Sequence, residues 1–278
     1  RQPMADLAVL IVSHNTKHEL EICLRSLRDH PPSTSHEIVV IDNASKDGSA
    51  DAVRSQWPEV RLIALNANVG FASANNEGIR QTTSELILLL NSDTVVPAGA
   101  IDRLVRALRE LPGASIAGPR LVDGHGNPEL SFGRMIGPLR ELRQKTIVRF
   151  GSRRLIAAMT SRPRQVDWVS GACLLVRRRD AEAAGLLDER YFMYGEDVDF
   201  CAAVRARGGR VHFTPAAEVI HLRGRSRTVD PVAAGEAYRR SQLAFYRKHH
   251  PAWEPILRLY LGLRGKLPGE SADKRGVR

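Results

Sequence analysis

The sequence predicts an α/β protein built on a mostly parallel sheet with helices on both faces. Three observations carry that prediction. Short apolar runs rich in Val, Ile and Leu alternate with amphipathic segments, and each of the first four runs leads into Asn, Asp or Ser. With 278 residues, 43% of them hydrophobic and 26% charged, the chain is long enough to bury a large core. Unbroken apolar runs are the pattern of strands covered on both faces, and strand–helix alternation is the pattern of parallel sheets.

The elements follow in order. Residues 7–12 (LAVLIV) form the first buried strand. Residues 17–30 place Leu20, Leu24 and Leu27 at helical spacing, and Pro31 and Pro32 stop the helix. Strand 37–42 (EIVVID) is followed by the Asp47-Gly48 turn, a short helix over 49–56, a third strand over 61–65 and a helix of small residues over 70–81. Strand 85–90 (ELILLL) ends in Asn91, Ser92 and Asp93. The next helix, over 99–111, aligns Ile101, Leu104, Val105 and Leu108 on one face. The stretch 123–165 is rich in Gly, Pro and Arg, weakly periodic, and expected to be a mobile insertion with short helical pieces. A strand over 167–176 (DWVSGACLLV), a short helix over 181–187, a helix over 196–207, a strand over 210–214 and a helix over 232–249 follow. From Trp253 to Leu267 apolar clusters alternate with Arg and Lys, which suits a helix lying in a membrane interface or one packed on the body.

Composition and charge exclude several classes. The apolar runs are too frequent for a disordered chain and far short of the ~20 residues needed to span a bilayer. Met4 is followed by Asp6 and a six-residue apolar run, so no signal peptide is expected at this end of the sequence. Cys23, Cys173 and Cys201 are odd in number and scattered, and are expected to be reduced core thiols of a cytoplasmic protein. The net charge is +10, and 35 of the 41 basic residues are Arg. Segment 134–179 holds 12 bases against 2 acids, and 223–278 holds 13 against 5, so a neutral-to-acidic body carries two basic regions. Arg-rich surfaces suit phosphorylated substrates, pyrophosphate or anionic lipid. Nucleic acid is not expected, because no recognition motif and little aromatic interleaving accompany the arginines. No dinucleotide fingerprint, Walker lysine loop or nucleophile elbow is present, which removes the dehydrogenase, P-loop and α/β-hydrolase readings.

Polar residues gather where a parallel sheet binds its ligands, beyond the carboxyl ends of the strands. These are Ser13, His14 and Asn15 after the first strand, Asp42 and Asn43 after the second, Asn66 to Asn68 after the third, and Asn91, Ser92 and Asp93 after the fourth. Asp93 is placed either to hold a divalent cation or to cap a turn. Glu196, Asp197 and Asp199 sit at a helix start, where the macrodipole favours ionised carboxylates; they read as a general base or as capping acids. His221, ahead of Arg223 and Arg225, reads as a structural histidine or as part of a metal or diphosphate site. Asp42 and Asn43 present acceptors and donors able to read imide or hydroxyl edges.

The ordered set VSHN at 12–15, IDNASKDGS at 41–49, NVGFASANN at 68–76, LNSDT at 90–94, WVSGA at 168–172 and FMYGEDVD at 192–199 resembles glycosyltransferase family 2, and within it the bacterial rhamnosyltransferase-like branch. The resemblance spans about residues 5–225, and its specificity lies in six motifs occurring in order. It implies a GT-A fold: a nucleotide-sugar-binding half over 5–122, the mobile basic insertion over 123–165 and an acceptor and catalytic half over 166–225, with a basic amphipathic helical tail over 226–278. It also implies inverting, single-displacement transfer from a nucleotide diphosphate sugar, most closely dTDP-β-L-rhamnose, to a saccharide or polyprenyl-diphosphate-linked saccharide in cell-envelope polysaccharide synthesis. The same fold using a UDP-hexose donor, or a silent nucleotide-sugar-binding partner subunit, is the alternative. Carried over by position, Ser13, Asn15, Asp42 and Asn43 hold base and ribose, while Asn68, Gly70 and Asn75 shape the nucleotide loop. Asn91, Ser92 and Asp93 stand where the family has its DxD motif, Asp93 and His221 belong to a Mg²⁺ or Mn²⁺ site, and Asp197 is the catalytic base; read from the residues themselves, Arg223 and Arg225 can hold the diphosphate and Glu196 can assist or position Asp197. Asn91 departs from the family by replacing the first Asp of its DxD motif, and Arg227 stands where related sequences carry a small hydroxyl residue. The basic insertion and tail imply a peripheral contact with an anionic membrane on its cytoplasmic face.

Overall fold

The computed structural model describes residues 5–137, 152–222 and 231–269. The leading runs fold as their patterns predict: β1 (Leu7–Ser13), α1 (Lys17–Asp29), β2 (His36–Asp42), α2 (Ser49–Gln56), β3 (Arg61–Ala64), α3 (Phe71–Arg80), β4 (Leu86–Asn91), β5 (Thr94–Val95) and α4 (Ala100–Glu110). Then come β6 (Ala114–Val122), β7 (Phe132–Gly133), α5 (Arg153–Met159), β8 (Arg164–Val166), β9 (Trp168–Val169), β10 (Cys173–Arg177), α6 (Arg178–Ala183), α7 (Glu196–Ala206), β11 (Arg210–His221), α8 (Pro231–His249) and α9 (Glu254–Leu263).

The main sheet runs β3-β2-β1-β4-β10-β6-β11-β5, with β8 on β11. Its first four strands are parallel, as is the β6–β11 pair, and β10 enters antiparallel between β4 and β6. Parallel pairing of β1 with β2 and β4 brings Ser13, Asp42 and Asn91 to one edge. Each face of the sheet carries its own core. On one, Leu20, Leu24 and Leu27 of α1 and Leu104 and Leu108 of α4 pack on Val9, Leu88 and Leu90; on the other, Ile79, Val198, Phe200 and Phe245 pack on Leu10, Leu89 and Leu174. Cys23, Cys173 and Cys201 are free and buried, and burial pushes the Cys23 and Cys201 thiols up to about 12, so both stay protonated.

Three expectations need correction. The run over 167–176 is two strands: β9 pairs with β7 in a separate small sheet and β10 joins the main one. The chain breaks between them because Gly171 turns its N–H toward Asp197 (2.9 Å). The strand expected over 210–214 continues through an irregularity to His221, whose last residues pair with β5. β6 is not predicted by pattern at all, since Gly118 and Pro119 interrupt it. Gly118 is required there, because a Cβ would lie 2.5 Å from Cβ of Val169. Short helix α6 also begins and ends earlier than expected, closing where Gly185 and Leu186 adopt positive φ. Within the insertion, 123–133 is tied to the end of β6 by a Val122–Pro128 bridge and to β9 by the pairing of β7; residues 138–151 lie outside the described residues.

Candidate active site

The strand ends expected to bind a ligand do converge, and hydrogen bonds between them set the shape of the edge. The hydroxyl of Ser13 is buried against Thr16 (3.0 Å), which in turn meets Ser92 (2.9 Å), tying the end of β1 to the end of β4. Asn15, at φ +54°, donates its N–H to Ser45 (3.0 Å) and accepts from the Lys46 N–H (2.7 Å), joining the loops after β1 and β2. Asn43 donates to Asn68 Oδ1 (2.8 Å) and to the Gly70 carbonyl (3.3 Å), while its own oxygen accepts from the Val69 N–H (2.9 Å). Its side chain is thus a staple for the loop before α3. Asp42 accepts the Ser45 N–H through Oδ2 (3.1 Å), and Oδ1 is buried without a partner. Asn75 donates to the Phe71 carbonyl and leaves its buried Oδ1 unpaired. Buried acceptors are paired as a rule, and the Asp42 oxygen, at the end of β2, is one of the described exceptions.

The same edge is locked to the acidic helix start. Gly70, at φ +85°, admits the Phe192 carbonyl to within 2.5 Å of where a Cβ would stand, and the Phe71 N–H donates to that carbonyl (2.7 Å). The contact holds the loop ahead of α7 against the start of α3. At the first turn of α7, Asp197 accepts Gly171 N–H through Oδ2 (2.9 Å) and Val198 N–H through Oδ1 (2.8 Å). Its carboxylate is only partly covered, and burial raises its pKa against those two donors. Glu196 is buried with Oε2 unpaired; burial first, then the charge of Asp197, pushes it up to about 8.

A third group closes the opposite side. Pairing of β11 with β5 sets His221 against Thr94, and the Leu222 N–H donates to the Asp93 carbonyl (2.8 Å). His221 Nε2 lies 3.3 Å from Asp93 Oδ1 and its Nδ1 3.5 Å from Glu129 Oε2. Burial alone would lower the His221 pKa, but hydrogen bonds and charge from Asp93 and Glu129 outweigh it and raise it to about 9. The imidazole is thus held between two carboxylates, Asp93 on one nitrogen and Glu129 on the other. Among the described residues no group of three His, Cys, Asp or Glu side chains is arranged to hold a metal by itself.

Residues 8–182 match the family model "Glycosyl transferase family 2". Over 98% of its length the chain is also 32% identical to the N-acetylglucosaminyl-diphospho-decaprenol L-rhamnosyltransferase of Mycobacterium tuberculosis, covering 95% of that protein. The chain belongs to glycosyltransferase family 2. As a family 2 glycosyltransferase it falls in the rhamnosyltransferase-like branch, and rhamnosyltransferase WbbL of Escherichia coli is 43% identical over 56 residues, 20% of this chain and 21% of that one. Two solved structures share the GT-A fold with TM-scores of 0.60 at 18% identity: a Pyrobaculum calidifontis mannosyltransferase in complex with GDP-Man and Mn²⁺, covering 96% of this chain and 73% of that one, and GalNAc-T7 with UDP, GalNAc and Mn²⁺, covering 80% and 45%.

In this family 2 enzyme the structure gathers Ser13, Asn15, Asp42, Asn43, Asn68, Gly70, Asn91, Ser92 and Asp93 along one edge, with Asp93 meeting His221 and Gly70 meeting the loop that leads to Asp197. Arg223, Arg225 and Arg227 lie outside the described residues. Sequence reasoning missed Glu129, a lone acid in an irregular stretch, and Thr16, whose hydroxyl bridges two strands; neither has a local signature. The raised pKa of Glu196 has a consequence for stability. The folded state keeps the Glu196 proton up to about 8, whereas an unfolded glutamate releases it near its ordinary 4.5. That contribution is therefore full below pH 4.5 and is lost as pH rises toward 8. Glu196→Gln is expected to remove this dependence, so its melting temperature should gain on the parent's between pH 5 and pH 8 (about one carboxyl titration in the difference curve). Parallel melting curves across that range would refute the buried, protonated glutamate.

Proposed function

We propose that this glycosyltransferase moves L-rhamnose from dTDP-β-L-rhamnose, with inversion, to a saccharide carried on a polyprenyl diphosphate. The observation that carries the reading is the near-complete, end-to-end likeness to a relative named for that acceptor class, across both the nucleotide and acceptor halves. The unpaired Oδ1 of Asp42 supports it, as an acceptor suited to the imide N–H of a thymine or uracil ring. Asp197, fixed by Gly171 and Val198, takes the proton of the acceptor hydroxyl. The acceptor oxygen then bonds to the anomeric carbon from the face opposite the diphosphate as the carbon–oxygen bond to phosphate breaks, and dTDP leaves. An α-L-rhamnoside results from a β-L donor.

Asp93 and His221 are a carboxylate and imidazole pair that Mn²⁺ accepts, while Mg²⁺ would use the Asp93 oxygen and leave the imidazole, and Glu129 fits the supporting position behind the histidine. A cation there would neutralise the charge growing on the departing diphosphate. With Asn91 in place of a second carboxylate, the pair supplies few protein ligands, so cation and nucleotide are expected to bind together. His221 must lose its proton to ligate, and Mn²⁺-dependent dTDP affinity should rise with pH toward about 9. His221→Ala should weaken that affinity about 10- to 100-fold and flatten the pH dependence, read by calorimetry; an unchanged profile would remove His221 from the site.

Turnover by the purified protein with dTDP-β-L-rhamnose, UDP-hexoses and GDP-hexoses, each with an N-acetylglucosaminyl diphosphate lipid, tests the proposal. Product from the rhamnosyl donor alone is expected. Product from a UDP-hexose would move the donor, and nucleotide binding without product from any donor would favour the silent partner subunit.

A further inference from the structure

Helix α9 has two apolar faces. Leu257 and Leu261 pack inward, Leu257 against the same core that holds Phe132, Trp168 and Phe245. Ile256, Leu259, Tyr260 and Leu263 recur at helical spacing on a neighbouring, outward face, with Leu259 66% and Leu263 81% exposed. Helices of water-soluble proteins bury one apolar stripe; a second stripe left in water marks a contact surface. No helix among the described residues is long and apolar enough to cross a membrane.

We propose that the outer face of α9 docks the enzyme on an anionic lipid bilayer, lying in the interface plane. The proposal deepens the lipid-linked acceptor reading and rests on it for its biological purpose. Charge selects the occupant. The one acid of α9, Glu254, is turned inward to Arg258 (3.0 Å) and Arg247 (3.3 Å), so it does not face the stripe. Exposed Arg264 and Lys266 follow at the helix end, and Arg264 reaches over the Tyr260 ring. The sequence from 223 onward carries 13 bases against 5 acids. Exposed Trp253 at the head of the helix, with Tyr260 on the stripe, supplies the amphipathic rings that favour the headgroup layer. Leucines with basic flanks fit an acidic lipid surface better than a protein groove, which would have to offer both an apolar trough and matching acids. Placement agrees: His250, just ahead of α9, bonds the Ile136 carbonyl (2.7 Å), and β9 packs in the same core and leads directly into Gly171, the donor to Asp197. The docked face therefore belongs to the half of the molecule that holds the candidate base.

Flotation of the full chain with vesicles of phosphatidylcholine alone, or of phosphatidylcholine mixed with phosphatidylglycerol, tests the surface directly. The parent protein should float with the mixed vesicles, not the neutral ones, and added salt should weaken the partition. The double variant Leu259→Glu with Leu263→Glu should partition roughly tenfold less per leucine lost. It should keep its melting temperature, and it should keep full turnover on a short-chain acceptor in detergent-free solution while losing it on a long-chain acceptor held in vesicles. A parent that ignores both vesicle types, a variant that floats like the parent, or a parent dimer that the variant dissolves in sedimentation velocity would each overturn the proposal. Failure of transfer to the short-chain acceptor by parent and variant alike would strike the acceptor reading and leave the flotation result to decide the membrane face.

Discussion

Asp197→Asn is expected to lower kcat by about a hundred- to ten-thousandfold while leaving Mn²⁺-dependent dTDP binding within about twofold of the parent. An amide cannot take the proton of the acceptor hydroxyl, and the hydrogen bonds of Asp197 go to Gly171 and Val198 rather than to residues assigned to the nucleotide. The substitution has a structural cost that must be measured alongside. Both oxygens of Asp197 accept backbone N–H groups, from Gly171 and Val198. Asparagine can replace only one acceptor and turns an N–H₂ toward the other donor, which costs about 1 kcal/mol at a partly covered site. Melting temperature and nucleotide affinity therefore accompany the rate. Glu196→Gln is the companion variant. Because Glu196 holds its proton up to about 8, it contributes no base at neutral pH, and its amide should retain most of the parent rate. If Asp197→Asn keeps more than a tenth of the parent activity, or if Glu196→Gln falls as far as Asp197→Asn, the base is wrongly assigned.

The part of this fold that the sequence predicts is the part ruled by local pattern. Leu7–Ser13, His36–Asp42 and Leu86–Asn91 are unbroken apolar runs ending in polar residues, and parallel pairing follows from the helices between them. That logic also places Asp42, Asn43 and Asp93 on one edge from the sequence alone. What escapes it is nonlocal. β6 exists because β10 and β11 pair with it on either side, in spite of Gly118 and Pro119. Glu129 matters because a loop returns it to His221, which lies 92 positions further along the chain. Asn43, read from sequence as a ligand-facing residue, uses its side chain on Asn68, Val69 and Gly70, and Ser13 uses its hydroxyl on Thr16; spacing cannot tell a residue that touches a ligand from one that shapes the loop around it.

Asp199→Ala is expected to destabilise the fold by about 3 kcal/mol, the largest loss among single changes outside the sheet core. Asp199 stands two residues beyond the candidate base and is buried. His249 Nε2 lies 2.6 Å from Oδ1, to which the Tyr191 hydroxyl also donates (3.3 Å), and Lys248 Nζ lies 2.8 Å from Oδ2. Both partners come from the end of α8, and Ser241 of the same helix donates to the Met193 carbonyl (2.7 Å). The helix is thereby clamped to the loop and helix start that carry Glu196 and Asp197. Deleting the carboxylate leaves a buried tyrosine hydroxyl without its acceptor, a lysine facing only Asp188, and a histidine that has lost its carboxylate. Lys248 remains a third exposed and can regain water, which keeps the expected loss near the lower end of the range for a broken buried pair. Urea unfolding should show a lower midpoint with the slope unchanged. Asp199→Asn, which preserves shape and one acceptor, should cost less. Combining Asp199→Ala with Lys248→Met should recover about 1 kcal/mol or more, because the stranded charge goes with its partner. Unfolding of Asp199→Ala within about 0.5 kcal/mol of the parent would mean that α8 is held by its apolar contacts, Leu243, Phe245 and Tyr246, and that the ionic clamp is incidental.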